Sequence, residues 1–158
     1  MSLPVARRVQ RVKPSPTLAV TARAARLKAE GHDVIGLGAG EPDFDTPRHI
    51  AQAGIDAIKN GFTRYTNVDG IQELKDAVIA KFERDNGLHY ERSQVLISSG
   101  AKQAVYNLCM AAIDPGDEAI IPAPYWVSYP DMVLLADGLP VTPFAGPAQG
   151  YKITPRQL

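Results

Sequence analysis

Apolar positions first recur along the chain at helical spacing. Leu18, Ala22, Ala25 and Ala29 mark one face of a segment that opens with Ser15-Pro16, an N-cap followed by proline at the first helical position, and stops at Gly31. After Thr46-Pro47 the pattern returns with Ile50, Gly54 and Ile58 inward and Gly61 as terminator. Ile71, Leu74, Val78 and Phe82 form the buried stripe expected of a helix over about 71–86, which Gly87 ends. Between these helices the period shortens. Val34-Ile35-Gly36-Leu37 and Val95-Leu96-Ile97 read as short strands, as do Ala119-Ile120-Ile121 and a segment over about 140–144. Helices over about 101–113 and 127–136 separate the last three strands, and the first of these is apolar on most sides. Strands that are nearly continuously apolar, alternating with helices, imply βαβ units and a parallel sheet covered on both faces. The fold expected is therefore three-layer α/β/α.

Composition adds bounds. The 158 residues are 45% hydrophobic and 22% charged, the profile of an ordinary globular domain. Seventeen basic residues offset seventeen acidic ones, which argues against a general nucleic-acid coat. No apolar run approaches the roughly 18 residues needed to span a bilayer. Cys109 has no second cysteine to pair with, so a reducing, cytoplasmic setting is the default. Charge is unevenly placed: Arg7, Arg8, Arg11, Lys13, Arg23, Arg26 and Lys28 precede the first acidic residue, Glu30. An organellar leader or a nucleic-acid arm would share that signature, but a solvated arm leading into a surface helix accounts for it more simply. His32, His49 and His89 are isolated, and no cysteine pair or Asp-rich loop accompanies them, so metal chemistry has no support. Thr154-Pro155 reads as a cap and first turn of a helix that has only Arg156, Gln157 and Leu158 to run, so the chain reads as the front part of a longer protein.

Four places carry candidate chemistry. Ser98-Ser99-Gly100-Ala101-Lys102-Gln103 lies where a strand gives way to a helix N-terminus. Free amides and the positive end of the helix dipole converge there, Gly100 permits close approach and Lys102 adds a cation. This is a phosphate cradle, although the spacing is not that of a nucleotide P-loop, and a glycine at such a junction also serves packing alone. Gly36-x-Gly38-x-Gly40 is followed at once by Glu41-Pro42-Asp43, so it does not open a helix as a dinucleotide fingerprint does. It reads either as a tight turn or as a glycine loop whose amides meet a small ligand. Pro124-Tyr125-Trp126-Val127-Ser128-Tyr129-Pro130 follows the carboxyl end of a strand, where parallel sheets gather ligands. Its Trp126, the sole tryptophan, suits a flat aromatic ligand or packing beneath the next helix. Arg64-Tyr65-Thr66 sets an aromatic hydroxyl shortly before the helix that follows Gly70.

Taken in order, Gly38-Ala39-Gly40-Glu41-Pro42-Asp43-Phe44, Tyr65-Thr66 with Gly70 and Leu74, Ser99-Gly100-Ala101-Lys102-Gln103, Pro115-Gly116-Asp117 and the Pro124–Pro130 run resemble the class I/II pyridoxal-5′-phosphate aminotransferases of fold type I, in particular bacterial aspartate aminotransferases. The resemblance extends over nearly the whole chain. It implies that Gly100, Ala101 and Lys102 hold the cofactor phosphate, that Trp126 stacks on the pyridine ring, and that Gly40 meets the substrate α-carboxylate. It also implies a homodimer in which Tyr65 reaches the phosphate of the partner subunit. Lys102 and Thr17 are candidates for selecting a dicarboxylic substrate. The reaction implied moves an amino group between aspartate and 2-oxoglutarate, both small molecules. Prephenate, aromatic or alanine substrates and a non-catalytic pyridoxal-phosphate-binding domain are the alternatives. The domains implied are residues 1–49, an arm and part of a small domain, and 50–158, the front of the large cofactor domain. The family's Schiff-base lysine sits in a motif that none of these 158 residues matches, so no catalytic residue is assigned, and the chain alone is expected to be without turnover.

Overall fold

A computed structural model of the chain describes residues 4–38 and 40–158. They fall into two compact units, one formed by residues 4–38 with Gly100–Leu158 and the other by Gly40–Ser99.

The first unit opens with a short helix, α1 (Arg7–Gln10), and a longer one, α2 (Pro16–Ala29). Local chemistry sets the ends of α2. The Leu18 amide donates to Ser15 Oγ at 3.4 Å, Pro16 occupies the first turn, and beyond Glu30 the chain turns out through Gly31 at φ +88°. The side of α2 that is half-buried carries Thr17, Ala24 and Leu27. The alanine face marked by the sequence pattern is exposed: small side chains give a helix little apolar area with which to choose its buried side.

Later in this unit come α5 (Ala101–Ala112), β1 (Glu118–Ile120), α6 (Ser128–Leu135) and β2 (Leu139–Val141). The two strands are parallel, with Glu118 opposite Leu139 and Ile120 opposite Val141, and α6 makes the crossover between them. Pairing continues past the regular ladder. The Ile121 amide donates to the Val141 carbonyl, that of Ala123 to Pro143 and that of Ala145 to Ala123, each at 2.8 Å. Ile121, Met132, Val133, Ala136 and Ala145 form the buried core between α6 and the strands. At Gly138, which follows α6, a Cβ would fall 2.6 Å from Ile113 Cγ2, so the glycine is required by packing. The arm is not free in solvent: Arg11 donates to the Leu134 carbonyl at 2.9 Å and pairs with the Asp137 carboxylate at the end of α6.

The second unit holds α3 (Arg48–Lys59), α4 (Gln72–Asn86) and a single 3-10 turn, Arg92–Gln94. Gly87 ends α4 in the left-handed conformation, at φ 65°, and the Leu88 amide returns to the Phe82 carbonyl at 3.2 Å. Arg92 grips Asp76 with both arms of its guanidinium, at 2.5 Å each, tying the turn to the helix. Phe82 meets Tyr90 edge-on at 5.6 Å.

Several expectations are corrected. Val34-Ile35-Gly36-Leu37 and Val95-Leu96-Ile97 are not strands. Val95 has extended torsions, φ −116° and ψ 125°, but a strand exists only through a ladder, and the Ile97 amide donates instead to the Asp69 carbonyl at 3.0 Å. Ile50 and Ile58 of α3 are exposed, because nothing among the described residues packs on that face. On α4 the buried stripe is Ile71, Lys75, Val78 and Phe82, with Leu74 turned outward; a lysine stands where the pattern placed an apolar residue. Thr154 and Gln157 form the expected cap-like turn, the Thr154 amide donating to Gln157 Oε1 at 2.9 Å and Gln157 Nε2 donating to the Phe144 carbonyl at 2.8 Å.

Candidate cofactor and substrate site

The start of α5 supplies the first element of the site. Its N-cap, Gly100, has φ 90° and ψ 161°, a region essentially closed to residues with a Cβ. Beyond its own chain neighbours, no atom of the described residues lies within 4 Å of where that Cβ would be, so the glycine is there for its backbone torsion and not for lack of room. Gly100 has no side chain with which to cap the helix, and the first turn carries no acidic residue. The amides of Ala101 and Lys102, like those at any helix start, have no acceptor within the helix. The outcome is a concentrated set of donors with a partial positive charge.

The second element follows β1. Trp126 is 43% exposed, Tyr129 meets its indole edge-on with ring centroids 5.4 Å apart, and Lys102 Nζ stands 4.7 Å from the indole centroid. The helix start and the aromatic loop, 24 residues apart in sequence, are thus joined through one lysine. Beneath them runs a groove of about 580 Å³ lined by Val105, Cys109, Ile121, Tyr125, Trp126 and Tyr129, a size suited to a small organic ligand. Burial pushes the Cys109 thiol above its ordinary range, which keeps it protonated and unreactive at neutral pH.

The other sequence-derived candidates are placed as follows. Thr17, on α2, is half-buried and makes no hydrogen bond to Lys102 or Trp126. In the glycine run, Gly38 packs against α2, where a Cβ would lie 3.1 Å from Thr21 Oγ1, while Ala39 lies outside the described residues. Gly40 and Tyr65 belong to the second unit; Gly40 has open space about its Cα, and Tyr65 is fully exposed. The sequence reading assigned no role to Tyr129, which buttresses the indole, nor, in the second unit, to Lys75, which pairs with Asp69. The signal for Lys75 was present in the spacing, since 71, 75, 78 and 82 repeat at the helical period as well as 71, 74, 78 and 82 do.

These residues suit pyridoxal 5′-phosphate. Uncapped amides at a helix start match a phosphate monoester, and a half-exposed indole matches a heteroaromatic ring. No group of three or more His, Cys, Asp or Glu side chains that could hold a metal occurs among the described residues, and no helix among them is long and apolar enough to cross a membrane.

A partial α/β domain with a small parallel sheet joined by a helical crossover is consistent with the fold of a fold type I aminotransferase. Comparison with known proteins agrees. Residues 32–158 match the family model described as aminotransferase class I and II, and the chain belongs to that family. It is 62% identical over 154 residues to an aspartate/prephenate aminotransferase of Nitrosomonas europaea, covering 98% of this chain and 39% of that protein. To the aspartate aminotransferase of Geobacillus stearothermophilus it is 54% identical, with 98% and 39% covered. Among solved structures, the aspartate aminotransferase of Rhizobium meliloti superposes with a TM-score of 0.95 at 48% identity, over 99% of this chain and 39% of that one. The Thermus thermophilus enzyme with maleate gives 0.92 at 45% identity, over 99% and 41%. The chain thus spans about 39% of the length of the curated relatives it matches.

Proposed function

We propose that this chain provides the phosphate cradle and ring wall of a pyridoxal-phosphate-dependent aminotransferase that moves the amino group between aspartate and 2-oxoglutarate. The observation that carries the reading is the joining of the uncapped α5 start to the exposed Trp126 indole through Lys102. In this reading the amides of Gly100, Ala101 and Lys102 hold the cofactor phosphate, and the Trp126 indole lies against its ring. When bound, the cofactor supplies an electron sink for charge developing at the substrate α-carbon. The Gly40 amide orients the substrate α-carboxylate, and Tyr65 donates to the phosphate held by the partner subunit of a homodimer. Gly100 contributes pre-organisation: its torsions aim the first-turn amides before any ligand arrives, so little reorganisation is needed on binding.

Lys102 has a second duty. Its ammonium stands over the face of the Trp126 indole, and together with Thr17 it selects a second carboxylate. The Thermus neighbour solved with maleate, a four-carbon dicarboxylate, supports that preference. The relatives described as aspartate/prephenate aminotransferases favour a second reading in which prephenate is also an amino acceptor. Prephenate carries two carboxylates, so the same lysine serves both.

The test is transamination by the full-length enzyme supplied with pyridoxal 5′-phosphate. Aspartate and 2-oxoglutarate should yield glutamate, and prephenate should compete as acceptor. Lys102→Ala should reduce the preference for acidic over aromatic amino donors about tenfold or more. An enzyme that ignores aspartate, or a variant with unchanged preference, refutes the assignment.

A further inference from the structure

Neither the cradle nor the ring wall accounts for Lys75. It is the one charged residue buried among the described residues, at 2% exposure, and it interrupts the apolar stripe of α4. Burying an ammonium is costly unless it is paired, and its partner is the carboxylate of Asp69, just before the helix. Such a pair is weak evidence for stability as such, since apolar replacements of buried ion pairs are often as stable or more so. A better account comes from what the pair holds in place.

Asp69 lies in the turn that ends the Tyr65-Thr66 stretch. Its carbonyl accepts the Ile97 amide at 3.0 Å, and the Gly70 amide donates to the Asn67 carbonyl at 3.1 Å. Gly70, at φ +103°, sits so tightly on Ile97 that a Cβ there would fall 2.5 Å from Ile97 Cγ1. The turn over 67–70 is therefore fastened twice to Ile97 and once, through Asp69, to the buried lysine. On its N-terminal side the chain leads back to Tyr65, and one residue beyond Ile97 begins the Ser98-Ser99-Gly100 run.

We infer that Lys75 is a positioning residue: by clamping Asp69 it fixes the turn over 67–70, two residues beyond Tyr65, against Ile97, and so sets Tyr65 for phosphate binding in the partner subunit. The inference rests on the role proposed above for Tyr65. Replacing the pair by an apolar residue would keep α4 packed but release the turn.

The test measures, in the full-length dimer, the ratio of dissociation constants for pyridoxal and pyridoxal 5′-phosphate, a readout independent of turnover. Tyr65→Phe should lower the preference for the phosphorylated form about tenfold. Lys75→Met should lower it to a similar extent and add little in the Lys75→Met/Tyr65→Phe double variant, because both act through one donor. Lys75→Arg, which keeps the charge, should restore most of the preference. Should Lys75→Met fail to fold, Asp69→Asn alters a half-exposed side chain of the same pair and carries the same expectation. If Tyr65→Phe lowers the preference while the clamp variants leave it intact, or if their effects add in full, the inference is wrong and the Tyr65 reading stands. If Tyr65→Phe itself changes nothing, the Tyr65 reading fails and the clamp's purpose fails with it.

Discussion

Replacing Gly100 with alanine isolates the backbone contribution to the cradle. The glycine has φ 90° and ψ 161°, and no atom lies within 4 Å of the added methyl, so steric overlap with neighbours contributes nothing. What remains is torsional strain, on the order of 1–3 kcal/mol for a residue with a Cβ in this region. The protein has two ways to accommodate it. If the backbone stays as it is, folding stability falls by about that amount and phosphate affinity is unchanged. If the backbone relaxes to an ordinary extended conformation, stability is largely kept, but the Ala101 and Lys102 amides lose their aim. Restoring them on binding then costs the same free energy, a loss of about fivefold to 150-fold in affinity at about 1.4 kcal/mol per decade. The two losses should therefore sum to about 1–3 kcal/mol, whichever way they divide. Urea denaturation without cofactor gives the first, provided the slope with denaturant is unchanged, and equilibrium titration with pyridoxal 5′-phosphate gives the second. A sum below about 0.5 kcal/mol would show that the Gly100 torsion has no part in holding the cradle.

Gly70→Ala combines positive φ with direct overlap, since the new Cβ would lie 2.5 Å from Ile97 Cγ1 and 2.7 Å from its Cβ. Strain and overpacking together should destabilise by about 2–5 kcal/mol in denaturant unfolding. Ile97→Ala added to it should not restore stability, because Ile97 Cβ, 2.7 Å from the new methyl, remains; restoration would contradict the packing described. The Lys75 ammonium holds the Asp69 carboxyl below its ordinary range, and the Arg92 guanidinium does the same for Asp76. With folded values below the unfolded carboxylate value of about 3.9, the stabilisation is present above that pH and is lost as pH falls through the lowered folded values. Denaturation midpoints should therefore drop below about pH 4, and less steeply in Asp76→Asn. An identical pH slope in the variant would mean that the Arg92 pair contributes nothing.

Much of the architecture could be read from the chain because helix ends are written locally. Ser15-Pro16, Gly31, Gly61 and Gly87 set the boundaries they were expected to set. The parallel pairing around Ala119 and Pro140 followed from two apolar segments separated by one helix length. The misread elements depend on partners distant in sequence. Val95-Leu96-Ile97 has the composition of a strand, yet its hydrogen bonding goes to Asp69, a choice that composition does not encode. On α3 the spacing of Ile50, Gly54 and Ile58 marks an apolar face but says nothing about what covers it. The stripe of α4 failed differently. Positions 74 and 75 fit the helical period almost equally, hydrophobicity favoured Leu74, and the pairing of Lys75 with half-exposed Asp69 reversed the choice. Of the candidate site, the helix start at Gly100 and the Trp126 loop were legible because each is local to a junction or a loop. Their meeting through Lys102 required the fold.

The most direct test of the central claim uses Trp126, the one tryptophan of these 158 residues, as a reporter. Its emission, taken as the difference between the full-length enzyme and its Trp126→Phe variant, is followed during titration with pyridoxal 5′-phosphate, pyridoxal or inorganic phosphate. Saturable quenching by the phosphorylated ring, at concentrations at least tenfold below those needed with pyridoxal, is the result expected if amides at the start of α5 and the adjacent indole form one binding surface. Equal responses to pyridoxal with and without its phosphate, or an indole indifferent to both, would contradict it.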